Sequence, residues 1–204
     1  MNAFFDSMLP FDLSVFEWVQ SIQNPVLSAI LVFITHLGAY GAVFLVLGAV
    51  LFCTKKFRKL GIAILGAIFI MEVGNNFVFK LIFARPRPFN LDLDWWNAVY
   101  QFPDLVSRPN SFSFPSGHAA SAFAAAFTAL WYNKKFGIPM TVFACVMAFS
   151  RVYVEVHYCT DVLFGVLAGL LYAVITVLLV ELLYPRVWVP LETWLTKKFK
   201  KESA

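Results

Sequence analysis

The sequence predicts an all-α integral membrane protein: a helical bundle of about five transmembrane helices, preceded by an amphipathic surface helix. Two observations predict it. Of 204 residues, 60% are hydrophobic, including 23 phenylalanines, and only 14% are charged; a soluble domain is roughly half apolar and about a quarter charged. The apolar residues also gather into five runs, near 26–52, 60–83, 116–132, 138–156 and 162–183. Crossing a bilayer takes about 20 residues of helix. The expected organisation is one domain over 1–204, with an interfacial helix (1–25), a transmembrane core (26–183) and a basic tail (184–204).

Taken in order, residues 1–24 mix Phe4, Phe5, Leu9, Phe11, Phe16 and Trp18 with Asp6, Asp12 and Glu17. That stretch is too polar to span and suits a helix lying at the membrane surface, interrupted by Pro10 and ended by Pro25. The first 25 residues hold no Lys or Arg, so no basic n-region of a cleavable signal is expected. The first span is long enough to tilt, and His36 near its outer end reads as an interfacial histidine. Between the second and third spans lies a polar stretch of about thirty residues, long for a connection and therefore of functional interest. It carries Trp95 and Trp96, which suit a membrane interface. Cys53, Cys145 and Cys159 lie far apart and suggest neither a disulfide framework nor a zinc site.

Charge sets the orientation. Lys55, Lys56, Arg58, Lys59, Lys134, Lys135, Arg186, Lys197, Lys198, Lys200 and Lys201, eleven of sixteen basic residues, fall on one side of a five-span arrangement. The positive-inside rule makes that side cytoplasmic, with the N-terminus outside and the C-terminus inside the plasma membrane. The other five, Lys80, Arg85, Arg87, Arg108 and Arg151, fall on the outer side. A cluster of cations there suits an anion.

Three polar stretches border the spans. In Ser150–Asp161, His157 and Asp161 are four apart; on a helix they share a face, and the carboxylate can orient the imidazole and select its tautomer. The other reading is a solvated loop. In Lys80–Pro88, three cations stand within eight residues and two prolines force the chain out of helix. They suit lipid headgroups or, through arginine forks, phosphate oxygens. In Ser113–His118, Ser116 can cap, Gly117 allows close backbone approach, and the free N–H groups of the following helix form an anion site with His118 at its edge. All three stretches emerge on the same outer face. Two histidines, a carboxylate, several cations and a helix N-terminus, with no metal-ligand set, suit phosphoryl transfer through a phosphohistidine.

Lys-x6-Arg-Pro (Lys80, Arg87, Pro88), Pro-Ser-Gly-His (Pro115 to His118) and Ser-Arg-x5-His-x3-Asp (Ser150, Arg151, His157, Asp161) together resemble the three-part signature of the type-2 phosphatidic acid phosphatase superfamily, over residues 80–161. The resemblance implies that His157 attacks phosphorus and Asp161 holds it in the attacking tautomer. It implies that His118 protonates the leaving oxygen and then activates water. Lys80, Arg87, Arg151, Ser116 and the Gly117 N–H would bind the phosphate, and neither metal nor other cofactor is expected. Cys159-Thr160 departs from the Pro-Ser of many relatives without removing a catalytic group.

Secondary candidates are weaker. Glu72, Asn76 and Lys80 form a stripe on span two, and an intramembrane carboxylate is a functional candidate by default; the other reading of Glu72 is hydrogen-bonded structure. Glu155 stands four after Arg151 and is positioned to pair with it. Arg85 and Arg108 suit a second phosphate or headgroups, and Tyr153 and Tyr158 suit interface anchoring or support of the site. The expected partners are the bilayer and a membrane lipid phosphate, with no nucleic acid. The resemblance favours undecaprenyl diphosphate, ahead of phosphatidylglycerophosphate and phosphatidic acid, cleaved at the extracytoplasmic face. The rivals are a lipid phosphotransferase and a non-catalytic lipid-phosphate binder or transporter. The family's soluble haloperoxidase branch is disfavoured by the hydrophobic spans.

Overall fold

The computed structural model describes residues 3–38, 41–91 and 105–202, and all regular structure among them is helical. Trp95 and Trp96 lie outside the described residues. Helix α1 runs Ala3–Ile22 and continues through Pro10, where the sequence suggested an interruption. One face, bearing Phe5, Asp12, Phe16 and Val19, is buried on both sides of the proline, so packing offsets the missing hydrogen bond. Phe4, Phe11 and Trp18 stay exposed on the other face.

The expected first span is two helices, α2 (Pro25–Leu37) and α3 (Ala42–Cys53), bent by 51°. The break has a local cause: Gly41 takes φ 67°, a left-handed conformation that a continuing helix excludes. Helix α4 (Arg58–Met71) continues through a widened turn (Glu72–Phe79) into the short α5 (Lys80–Phe83). Ala84, at φ 42°, then turns the chain into Arg85-Pro86-Arg87-Pro88.

Helix α6 (Gly117–Tyr132) is the centre of the bundle, with every side chain from Ala119 to Ala126 buried. Its 16 residues fall short of a free-standing span of about 20; helices rather than lipid surround it. Helix α7 (Lys134–Tyr153) is capped by Asn133, whose side chain accepts from the Lys135 N–H. Helix α8 (Cys159–Leu183) continues through a widened turn (Tyr184–Trp188) into α9 (Val189–Glu202). The expected basic tail is therefore helical through Glu202, and its Glu192 pairs with Arg58.

Among the described residues, three helical stretches are long and apolar enough to cross a membrane: Lys55–Asn90, Lys134–Tyr153 and Cys159–Trp194. The bent pair α2–α3 makes a fourth if taken as one span. Helices α6 and α8 meet along small residues. A Cβ on Gly165 would stand 2.8 Å from the Ser116 carbonyl oxygen, and only glycine permits that approach. The N-terminal ends of α6 and α8 therefore lie side by side, joined by the Ser116 N–H donating to the Asp161 carbonyl at 3.0 Å.

Candidate active site

The three polar stretches converge. Lys80, Arg87, Gly117, His118, Arg151 and His157 all line one cavity of about 810 Å³, together with Glu72, Asn76 and His36. Ser116 is buried at the start of α6, and Asp161 lies fully buried behind His157.

His157 does not share a helix with Asp161, as the four-residue spacing suggested. Helix α7 ends at Tyr153, Glu155 turns the chain at φ 55°, and α8 begins only at Cys159. Asp161 instead sits in the first turn of α8, accepts the Tyr158 N–H at 3.1 Å, and so is held facing back along the chain. Its Oδ2 stands 3.5 Å from His157 Nδ1, a long contact of the kind that catalytic groups shorten when substrate binds. Ser113 fills the angle between them: its Oγ is 3.4 Å from Nδ1 and donates to the same Asp161 oxygen.

On the other side of the ring, Arg87 Nη1 is 3.3 Å from His157 Nε2. A guanidinium has no acceptor, so Nε2 presents its lone pair and Nδ1, facing the carboxylate, carries the proton. Burial pushes the His157 pKa well below its ordinary value of 6.5, and the charges of Arg87, Arg151 and Lys80 push the same way against a hydrogen bond with the Ser113 backbone. These causes favour the neutral imidazole, whose ring lies at the cavity wall.

Arg87 and Arg151 donate to neutral groups. Arg87 donates from Nε to the Ser111 carbonyl at 2.7 Å, from Nη1 to the Val156 carbonyl at 2.7 Å, and from Nη2 to Ser111 Oγ at 3.0 Å. Arg151 donates to Thr35 Oγ1, while its buried Nε has no hydrogen-bond partner among the described residues. Ser116 occupies the N-cap position of α6, yet its side chain makes no capping bond and its buried Oγ is likewise unpartnered. A Cβ on Gly117 would meet Asn75 Nδ2 at 3.6 Å and Lys80 Nζ at 3.8 Å, ordinary contact distances. Packing therefore does not require glycine there; a methyl group would stand in contact with the Lys80 ammonium.

The secondary candidates divide. Glu72 accepts from Asn76 at 2.5 Å, and both line the cavity with Lys80, so the polar stripe persists through the widened turn. Glu155 is buried and accepts from Gln23 Nε2 at 3.3 Å. Arg108 is exposed, with its guanidinium over the Phe89 ring at 5.4 Å. Arg85 is the correction. It is fully buried, donating to Asp161 Oδ1 at 2.6 Å, Asp12 Oδ2 at 2.8 Å and Thr160 Oγ1 at 2.8 Å, and stacked 3.8 Å over the Tyr158 ring. Its carboxylate partners leave it no free fork for a second phosphate or a headgroup. Tyr153 is buried too, with its hydroxyl 2.9 Å from Ser28 Oγ. Sequence reasoning missed Ser113, Asn75, Thr160 and Asp12. Ser113 and Thr160 lay within stretches already singled out, but nothing in the sequence marked Asp12 apart from Asp6.

These features define a class: an all-helical membrane protein with a neutral histidine among fixed cations. The chain belongs to the PAP2 superfamily, whose family model matches residues 56–184. It is 29% identical over 184 residues to undecaprenyl-diphosphatase BcrC of Bacillus subtilis (strain 168), covering 87% of this chain and 91% of that protein. It is 32% identical to an undecaprenyl-diphosphatase of Sulfolobus acidocaldarius, covering 78% and 73% respectively. The solved structure of a transmembrane PAP2 type phosphatidylglycerolphosphate phosphatase from Bacillus subtilis matches with a TM-score of 0.67 and 28% identity, over 86% of this chain and 87% of that one. With phosphatases as its relatives and several candidate spans, this chain is a multi-pass membrane phosphatase of that superfamily.

Proposed function

We propose that this protein hydrolyses a phosphate from a membrane lipid phosphate or diphosphate at the extracytoplasmic face, with undecaprenyl diphosphate as the favoured substrate. The observation that carries the reading is His157 at the wall of a cavity that Lys80, Arg87 and Arg151 also line, with Asp161 behind its Nδ1. In the first step Nε2 attacks phosphorus in line, a P–N bond forms, and the P–O bond to the leaving group breaks as His118, protonated once the anionic substrate phosphate offsets the cations around it, gives that oxygen its proton. Water then attacks the phosphohistidine while His118 takes its proton, and inorganic phosphate leaves. Lys80, Arg87, Arg151, Ser116 and the first N–H groups of α6 stabilise the charge spread over the equatorial oxygens. Asp161 and Ser113 keep the proton on Nδ1.

The name shared by two relatives supports the diphosphate. The basic residues at 55–59, 134–135 and 186–201 support an outward-facing site with the C-terminus in the cytoplasm. A second reading, phosphatidylglycerophosphate as substrate, is favoured by the solved phosphatidylglycerolphosphate phosphatase.

Phosphate release by the purified protein in detergent with EDTA tests the proposal, with undecaprenyl diphosphate, phosphatidylglycerophosphate and phosphatidic acid compared side by side. The expected outcome is preference for the diphosphate and no turnover by a folded His157→Ala variant. Full activity in that variant sinks the mechanism. Equal rates on all three lipids overturn the substrate ranking.

A further inference from the structure

We propose that Asp12, on the N-terminal surface helix, is a positioning residue for the reaction: through Arg85 and Thr160 it sets the orientation and net charge of Asp161, which in turn holds His157. The inference rests on the catalytic reading of His157 given above.

The geometry is a closed buried network. Asp12 Oδ2 accepts from Arg85 Nη2 at 2.8 Å and from the Thr160 hydroxyl at 2.7 Å, and Oδ1 accepts the Thr160 N–H at 2.9 Å. Arg85 Nη1 reaches onward to Asp161 Oδ1 at 2.6 Å and to Thr160 Oγ1 at 2.8 Å. The side chains of Asp12, Arg85 and Asp161 are all 0% exposed. Every one of these Asp12 partners is a donor; burial raises the Asp12 pKa, and the donors and the Arg85 charge act against that rise in favour of the carboxylate.

Two physical consequences follow, one mechanical and one electrostatic. Thr160 is the second residue of α8, and its N–H is one of the orphan donors that every helix start leaves. Here a carboxylate from another helix satisfies it, at the end where negative charge is favoured. The backbone one residue before Asp161 is thereby tied to α1. At its other end α1 is followed by Gln23, whose Nε2 donates to the Tyr153 carbonyl and to Glu155, both at 3.3 Å. Helix α1 and its end thus brace both sides of the turn that carries His157.

The electrostatic consequence concerns Arg85. One guanidinium lies between two carboxylates, so the group of three keeps one negative charge beside His157 Nδ1. Without Asp12, the whole positive charge of Arg85 would fall to Asp161 at 2.6 Å and cancel the field that stabilises the imidazole as it takes on the phosphoryl group. A buried ion pair is weak evidence for stability alone. Its sharing with the residue that holds the nucleophile gives this one a role in the reaction.

The test is the full chain in detergent, assayed for phosphate release as wild type, Asp12→Asn and Asp6→Asn. Asp6 is exposed on the same helix and controls for the same loss of charge. Asp12→Asn is expected to lower kcat by about 10- to 100-fold, as loss of a supporting partner or a small misplacement of a reacting group does, with KM little changed. Asp6→Asn keeps the wild-type kcat. A purely structural role would lower the melting temperature and the active fraction together, without a selective loss of kcat per folded molecule, and that result overturns the proposal, as does wild-type kcat in Asp12→Asn. Should Asp12→Asn fail to fold, Thr160→Val, which removes the hydroxyl shared by Asp12 and Arg85, is expected to lower kcat selectively, and an unchanged kcat overturns the proposal equally. Failure of the wild type to release phosphate, or full activity in His157→Ala, counts instead against the reaction reading itself.

Discussion

Arg85 and Arg87 stand two residues apart on one loop, both buried, and their partners give them opposite uses. Arg85 meets two carboxylates, Asp12 and Asp161. Arg87 meets the carbonyls of Ser111 and Val156, the Ser111 hydroxyl and the lone pair of His157. Carboxylates cancel a positive charge, whereas carbonyl dipoles only steer it. Arg85 is spent inside the protein and, through Asp161, stands behind His157, the proposed nucleophile; Arg87 is held by its partners but still carries its charge at the cavity wall. Residue type and local spacing cannot separate two such arginines. The identity of the acceptor does.

The sharpest way to break this comparison is Arg85→Ala. It leaves two carboxylates buried without their cation, a loss of about 3–5 kcal/mol in stability. A large fall in melting temperature in detergent is the expected result, and a wild-type melting temperature would show that the pairs are not holding the fold. Arg87→Met should act the other way round. Its expected effect is a loss on the order of 100-fold in kcat/KM, comparable to removing one preorganised donor at a developing charge, with a smaller change in melting temperature. Its pH profile carries a second readout. Arg87 is among the charges that hold the His157 pKa below 6.5; without it that pKa rises, so protonation of the nucleophile, and with it the acid limb of kcat/KM, moves to higher pH. An unmoved limb would mean that Arg87 does not face the nucleophile in solution.

Legibility in the sequence followed the same division. The apolar runs and the three motifs predicted an all-helical membrane fold and named the residues that now line one cavity, because span length and motif spacing are local properties. Three features lay beyond what span length and motif spacing reveal. The first span breaks because Gly41 adopts a left-handed conformation, which composition does not announce. His157 and Asp161 meet across a helix start and not along one helix, because the Tyr158 N–H draws the carboxylate back. Asp12 looked like one of three acidic residues on a surface helix, and only tertiary packing carries it into contact with Arg85 and Thr160, more than 70 and 140 residues away in the chain. A surface-helix reading accounts for the exposed Phe11 and Trp18 and is silent about the buried face.

Gly117→Ala is the mildest change and sharpens the contrast between supporting and receiving groups most finely. Adding a methyl group costs nothing in packing, since its nearest neighbours would be Asn75 Nδ2 at 3.6 Å and Lys80 Nζ at 3.8 Å. Alanine is also the better helix former, by up to about 1 kcal/mol in a helix interior and less at a first turn. The melting temperature should therefore hold or rise slightly. Activity should move the other way, because the methyl group stands beside the Lys80 ammonium, a proposed phosphate ligand, at the first residue of α6. A loss of about tenfold in kcat/KM, equivalent to ~1.4 kcal/mol, is the expected size. Unchanged kinetics in this variant would mean that substrate phosphate does not approach the α6 N-terminus, and the site would then rest on Arg87, Arg151 and Lys80 alone.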